Sequence, residues 1–266
     1  MLKLAVIGKD VSKSSSPEMH TFIAENTGNR ISYEAVSVSE DSFEERIDGL
    51  LSEYDGLNVT IPYKLSVIPH LKKTEGDAPI FGAVNTVVTS SLTGYNTDGL
   101  GFMLMLTNNG VCVKDKKVLL LGAGGAGRSV AKKLLDAGAT VCVYDKKTEN
   151  VENLVSEFKG ICALKQVDPA PYYMIINATG VGMHTTEGIS PVGEDIIKEC
   201  QVAVDLIYVP ETSEFLRIAQ SLGKKTVNGK AMLFYQAYFA QCLFFGAQPS
   251  EAQAKSLFEK YLKEGN

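Results

Sequence analysis

Lys117-Val118-Leu119-Leu120-Leu121-Gly122-Ala123-Gly124-Gly125-Ala126-Gly127-Arg128 decides how the middle of this chain folds. The apolar run Val118 to Leu121 has the continuous hydrophobicity of a strand buried on both faces, and it passes without a linker into a GxGxxG pattern. Alone, that pattern is weak. Here it follows a strand, opens a helix over 125–137, and precedes a second strand, Thr140 to Tyr144, that ends at Asp145, 18 residues past Gly127. This context predicts a dinucleotide-binding turn. Gly122 allows the tight turn, Gly124 lets backbone approach a pyrophosphate, and Gly127 lets helix and strand pack closely. Gly125 and Ala126 start the helix, whose N-terminus offers unpaired N–H donors and a positive dipole end.

Asp145 bears on which dinucleotide is taken. A carboxylate there can accept from an adenosine ribose, which favours NAD and repels the 2′-phosphate of NADP. Lys146 and Lys147 follow at once and can pair with that phosphate. The same three residues also fit a solvated turn, and the balance stays open at this level.

Further apolar runs, Tyr173 to Asn177 and Val202 to Leu206, continue the alternation of strand and helix to about residue 230. Residues 101–230 therefore read as a Rossmann domain, a doubly wound parallel sheet. Upstream, strands at 4–7, 33–38 and 57–61 alternate with helices at 16–26 and 42–54, which predicts a second α/β unit over 1–100. From Ala231 the chain is helical, broken near Gln248-Pro249-Ser250, with Ser250 placed to cap the last helix. No linker marks the cuts; motif content places them.

The chain has 266 residues and a formal net charge of −5, with 45% apolar and 21% charged residues. That composition fits a globular α/β protein and shows no basic face for nucleic acid. Five cysteines at least 20 residues apart form no disulfide framework or CxxC pair, so a reducing, cytoplasmic setting is expected. Three scattered histidines leave no histidine-rich metal site, so no metal ion is expected. The opening apolar run is too short for a signal peptide, and Met232 to Ala247 is broken by Gln236 and Gln241, so it reads as a buried helix rather than a membrane span.

Several short stretches are too polar for their places. Ser14-Ser15-Ser16-Pro17 follows the first strand, and Ser16 with Pro17 suits a helix N-cap. In Asn58-Val59-Thr60-Ile61-Pro62-Tyr63-Lys64, Asn58 and Thr60 share one side of a strand, with Val59 and Ile61 on the other. Lys64 lies just past the strand's carboxyl end, where open α/β sheets bind ligands. Gly82-Ala83-Val84-Asn85-Thr86 and Gly94-Tyr95-Asn96-Thr97-Asp98-Gly99 fit either a site or ordinary turns.

Together these blocks resemble the shikimate dehydrogenase family. The motifs 58–64, 82–86, 96–99, 122–128, Asn177-Ala178-Thr179-Gly180-Val181-Gly182-Met183, Asp205 with Tyr208 and Pro210, and Gly229 with Met232, Leu233 and Gln236 follow in the family's order. The resemblance implies a discontinuous substrate domain, 1–100 plus 231–266 around a mixed sheet, and a Rossmann domain between. It implies NADPH-dependent reversible reduction of 3-dehydroshikimate to shikimate in the biosynthesis of aromatic amino acids. Lys64 is then the acid/base, with Asp98 orienting it and binding a substrate hydroxyl. Ser14 and Ser16 become carboxylate donors instead of caps. Asn58, Thr60, Asn85 and Gln236 are implied partners of the ring hydroxyls, and Tyr208 lies close to the ring or carboxylate. Thr179 and Gly229 join the glycine turn and Asp145, Lys146 and Lys147 as cofactor positions. Lys13 stands where the family usually has His, Asp10 where it has Pro, and Asp145-Lys146-Lys147 where it has Asn-Arg-Thr. NADP is the implied cofactor, with an NAD-using quinate/shikimate dehydrogenase as the alternative and a catalytically silent nucleotide-sensing homologue as a remote one. No membrane or nucleic-acid partner is expected, and monomer and homodimer both remain open.

Overall fold

Twelve strands fall into two sheets of six among the described residues. The structure is a computed structural model describing residues 1–264; the last two positions of the 231–266 segment lie outside them. The chain divides into one unit of Met1–Leu104 with everything from Phe234 onward, and a second unit of Met105–Leu233.

The first unit runs β1 (Leu2–Gly8), α1 (Ser16–Asn26), β2 (Ile31–Ser37), α2 (Phe43–Glu53), β3 (Gly56–Val59), β4 (Lys73–Thr74), α3 (Ala78–Phe81), β5 (Thr86–Val88), β6 (Thr93–Tyr95) and the start of α4 (Asp98–Asn108). Its sheet order is β2-β1-β3-β5-β6-β4. β1 pairs parallel with β2 and β3, while β3–β5 and β5–β6 are antiparallel, so the sheet is mixed. Period-2 alternation sends Ala5, Ile7, Leu57 and Val59 into one core, where Phe43, Ile47, Leu50 and Leu51 of α2 meet them. Those four helical positions are spaced i, i+4, i+7 and i+8, the stripe an amphipathic helix needs. Gly56 and Asn58 face the opposite side; a Cβ on Gly56 would come within 2.6 Å of the Phe244 ring.

The third strand is shorter than its sequence suggests. β3 ends at Val59, and Ile61 is 78% exposed instead of packing beside Val59. Pro62 has no N–H to carry the ladder on, and Tyr63 N–H turns back to the Thr60 carbonyl. Thr60 is therefore a loop residue, whose N–H still reaches the Ile7 carbonyl at 2.9 Å.

The second unit runs β7 (Lys117–Leu121), α5 (Gly125–Asp136), β8 (Thr140–Tyr144), α6 (Thr148–Glu157), β9 (Cys162–Ala163), β10 (Met174–Asn177), α7 (Glu194–Ile197), β11 (Val202–Asp205), α8 (Glu214–Ser221) and β12 (Lys225–Val227). All pairings are parallel, in the order β12-β11-β10-β7-β8-β9. The chain winds outward from β7 to β9, then returns past β7 to start again at β10. The switch point thus lies between the ends of β7 and β10, where Leu121 and Asn177 are register partners. Val118 to Leu121 are buried, as two-sided helix cover requires. α9 (Lys230–Phe245) and α10 (Glu251–Lys263) follow. Ser250 Oγ accepts from Gln253 N–H at 3.3 Å, the cap its position foretells. No helix among the described residues is long and apolar enough to cross a membrane.

Candidate active site

Lys64 stands on a loop pinned from below. The Tyr63 ring stacks on Phe43, with centroids 4.2 Å apart, and its hydroxyl donates to the Val38 carbonyl. The Lys64 carbonyl accepts from Val84 N–H at 2.8 Å. With its backbone held on both sides, Lys64 extends Nζ to 2.6 Å from Asp98 Oδ2, both side chains largely shielded from solvent. Asp98 opens α4, where the helix dipole favours a carboxylate, and its own N–H donates to Asn96 Oδ1.

Asn85 fixes the other carboxylate oxygen. It is 3% exposed, and its Nδ2 donates to Asp98 Oδ1 at 2.8 Å and Thr97 Oγ1 at 3.1 Å. Its Oδ1 accepts from Thr97 N–H and the Thr86 hydroxyl, each at 2.9 Å. Asn58 joins through Nδ2, which faces the Asn85 carbonyl at 3.2 Å and Thr86 Oγ1 at 3.3 Å. Gln236 on α9 touches the same cluster through Thr97 Oγ1 at 3.5 Å. Stretches 82–86 and 94–99, which also fit ordinary turns, are thus the lips of β5 and β6 and the start of α4.

The serine loop lies against this network. Ser16 is the first residue of α1, and neither it nor Ser15, the residue at the cap, makes a side-chain cap bond. The capping reading of Ser16 is therefore corrected: Ser16 N–H donates to Ser14 Oγ. Both serines are half-buried, while Lys13 and Asp10 are exposed, with Asp10 bonded to Ser12. The Thr60 hydroxyl makes no internal bond among the described residues, and Tyr208, 37% exposed, belongs to the other unit.

In that unit the glycine turn fills the switch point. Gly122 has φ +101°, and a Cβ there would lie 2.9 Å from the Ala178 backbone. A Cβ on Gly127 would lie 2.0 Å from the Gly122 carbonyl oxygen, so only glycine fits. Gly124, Gly125 and Ala126 are exposed, and the first-turn N–H groups of α5 have no acceptor within the helix. Unpaired donors in this arrangement can hold a phosphate. Gly229 is closed by backbone instead, a Cβ there lying 2.0 Å from the Leu206 carbonyl oxygen. Thr179 packs against Gly122, its hydroxyl donating to Asn177 Oδ1 at 2.6 Å.

Asp145 has a role the sequence does not show. Its Oδ2 accepts from Ala123 N–H at 2.8 Å and from Asn150 at 3.3 Å, and its Oδ1 accepts from Lys147 N–H at 2.8 Å. Burial alone would raise its pKa, but these donors hold the carboxyl below its usual range. Asp145 therefore ties the end of β8 to the glycine turn, and Lys146 and Lys147 are left exposed.

Residues 6–87 match the family model described as the shikimate dehydrogenase substrate binding domain, and 105–181 match that of shikimate / quinate 5-dehydrogenase. The shikimate dehydrogenase (NADP(+)) of Carboxydothermus hydrogenoformans is 38% identical, covering 92% of this chain and 91% of its own. The chain belongs to the shikimate dehydrogenase family. Shikimate 5-dehydrogenase from Thermus thermophilus, solved with NADP(H) and shikimate, superposes with TM-score 0.88 and 35% identity over 98% of this chain and 99% of its own. The shikimate dehydrogenase (NADP(+)) of a second Thermus thermophilus strain is 37% identical, covering 94% of both chains.

Two features of this family member escaped the sequence. Asn177, Asp205 and Ser213 form a buried chain, with Asn177 Nδ2 3.0 Å from Asp205 Oδ1 and Ser213 Oγ 2.5 Å from Asp205 Oδ2. Burial pushes the Asp205 carboxyl upward in pKa, against the pull of those bonds. Two polar residues closing neighbouring strands were the available signal, since Asn177 and Asp205 are register partners. Tyr33, which bonds Asn58, carried no signal at all. Among the described residues no cluster of His, Cys, Asp or Glu is placed to hold a metal ion.

Proposed function

We propose that this chain catalyses the reversible NADP-dependent interconversion of shikimate and 3-dehydroshikimate. The unit containing Lys64 takes the substrate, and the unit containing the glycine turn takes the cofactor. The observation that carries the reading is the 2.6 Å Lys64–Asp98 pair, braced by Asn85 and continuous with Asn58. A ketone and its alcohol differ by a hydride and a proton, and NADP(H) when bound supplies or accepts the hydride. Lys64 Nζ manages the proton, donating it to the carbonyl oxygen in reduction and receiving it from the hydroxyl in oxidation. Asp98 holds that ammonium and accepts from a substrate hydroxyl. Asn58, Thr60 and Gln236 bind the remaining hydroxyls, Asn85 holds Asp98 in place, and the Ser14 and Ser16 hydroxyls donate to the carboxylate.

The exposed Gly124–Ala126 N–H groups fit a pyrophosphate, with Thr179 beside Gly122 at the same switch point and Gly229 close to the end of β11. Because the Asp145 oxygens are engaged by N–H groups of the turn itself, Lys146 and Lys147 remain for the 2′-phosphate. That favours NADP. Initial rates with shikimate and quinate, each with NADP+ and NAD+, test this reading: the largest kcat/KM is expected for shikimate with NADP+. A larger value for NAD+ would reverse the cofactor assignment, and a larger one for quinate the substrate assignment.

A further inference from the structure

Tyr33 lies outside every motif, yet it touches the site. In the ladder Tyr33 pairs with Leu4 and Leu4 with Gly56, so Tyr33, Leu4, Gly56 and Asn58 share one face of the sheet. Strands lie about 4.8 Å apart, so the phenol must reach across β1 to meet β3. It does: the hydroxyl donates to Asn58 Oδ1 at 2.7 Å. The ring is clamped in that direction by His20 of α1, stacked at 4.4 Å with an interplanar angle of 19°. His20 is fully buried and burial lowers its pKa to about 3, so the clamp stays neutral.

The carboxamide of Asn58 is thereby constrained from two sides. The Asn85 carbonyl can only accept, so Nδ2 faces it. Tyr33 donates to the oxygen, which leaves one lone pair on Oδ1 for an incoming hydroxyl.

We propose that Tyr33 is a positioning residue for the substrate: its hydroxyl fixes the Asn58 carboxamide as a hydrogen-bond acceptor. This rests on the reading of Asn58 as a substrate contact, and the test separates the two. Tyr33→Phe keeps the ring and its stack on His20 and removes only the donor. KM for shikimate is expected to rise about tenfold, the usual weight of one neutral hydrogen bond. The kcat and the KM for NADP+ should stay close to those of the parent chain, with a melting temperature lower by a few degrees because buried Asn58 Oδ1 loses its donor. Asn58→Ala should itself raise the KM for shikimate, and Tyr33→Phe should then add less than about twofold, because coupled residues are not additive. A KM unchanged in Tyr33→Phe while Asn58→Ala is impaired overturns the positioning role alone. A full tenfold effect persisting on the Asn58→Ala background also overturns it, as does a parallel loss in kcat and both KM values. A silent Asn58→Ala removes the underlying assignment and the proposal with it. Calorimetric binding of shikimate to the folded fraction gives the same comparison if Tyr33→Phe is less stable.

Discussion

Replacing Asn85 by alanine strikes the joint between fold and site. The side chain is 3% exposed and satisfies four partners: Asp98 Oδ1, the Thr97 N–H, and the hydroxyls of Thr86 and Thr97. The hydroxyls can rotate to other acceptors, but the Thr97 N–H cannot, and a buried unsatisfied donor costs about 1–3 kcal/mol. Losing the bond to the Asp98 carboxylate adds about 1.5–3 kcal/mol, the range for a charged acceptor. Some of this is recovered by water entering the vacated space, so a destabilisation of about 3–4 kcal/mol is expected, a large share of the roughly 5–15 kcal/mol available to a domain. Urea unfolding followed by far-ultraviolet circular dichroism measures it, as a lower midpoint at constant slope. The same variant should lower kcat, because Asp98 then holds Lys64 with one oxygen unrestrained. A loss below about 1 kcal/mol would refute the reasoning, since it would mean these partners are satisfied without Asn85.

Further expectations concern the cofactor turn and a buried base. Gly127→Ala places a Cβ 2.0 Å from the Gly122 carbonyl oxygen, so KM for NADP+ should rise at least tenfold while the shikimate-binding affinity measured by calorimetry is unchanged. Asp145→Ala releases the Ala123 and Lys147 N–H groups, and should weaken NADP+ and NAD+ alike; an improvement with NADP+ alone would show that charge repulsion outweighs the tether. His20 is neutral in the fold, with pKa about 3, but protonates near 6.5 once unfolded, so the unfolded state binds the extra proton as pH falls. Stability should therefore drop below pH 6.5, by about 2 kcal/mol between pH 7 and pH 5, a loss that His20→Phe abolishes in urea titrations at the two pH values.

Parts of the molecule differ in how openly the sequence declares them. The β7–α5–β8 stretch is legible because a parallel strand covered on both faces must be apolar throughout, and the close contacts at Gly122 and Gly127 admit no side chain. Lys117–Leu121 and Thr140–Tyr144 coincide with their expected ranges for that reason. In the other sheet, β4, β5 and β6 span two or three residues each and carry Thr, Gly and Tyr, so local pattern cannot separate them from turns. Lys64 and Asp98 are visible only as members of motifs; they pair directly across 34 positions of chain, and Asn85, brought in by the β3–β5–β6 ladder, braces Asp98. Asp145 shows less in sequence than in structure. Its place at the strand end suggests a ligand, whereas its oxygens serve backbone N–H groups of the turn. Such nonlocal satisfaction of polar groups is what a single sequence conceals.

The central claim is that Lys64 moves the proton while other residues bind. Its most direct measurement is the kcat of Lys64→Ala for shikimate oxidation with saturating NADP+, alongside calorimetric affinity for shikimate. The account predicts a fall in kcat of about 10²- to 10⁴-fold, the range for one general acid–base group, with affinity changed by less than about tenfold. A variant that turned over at the parent rate, or one that lost only affinity, would contradict it.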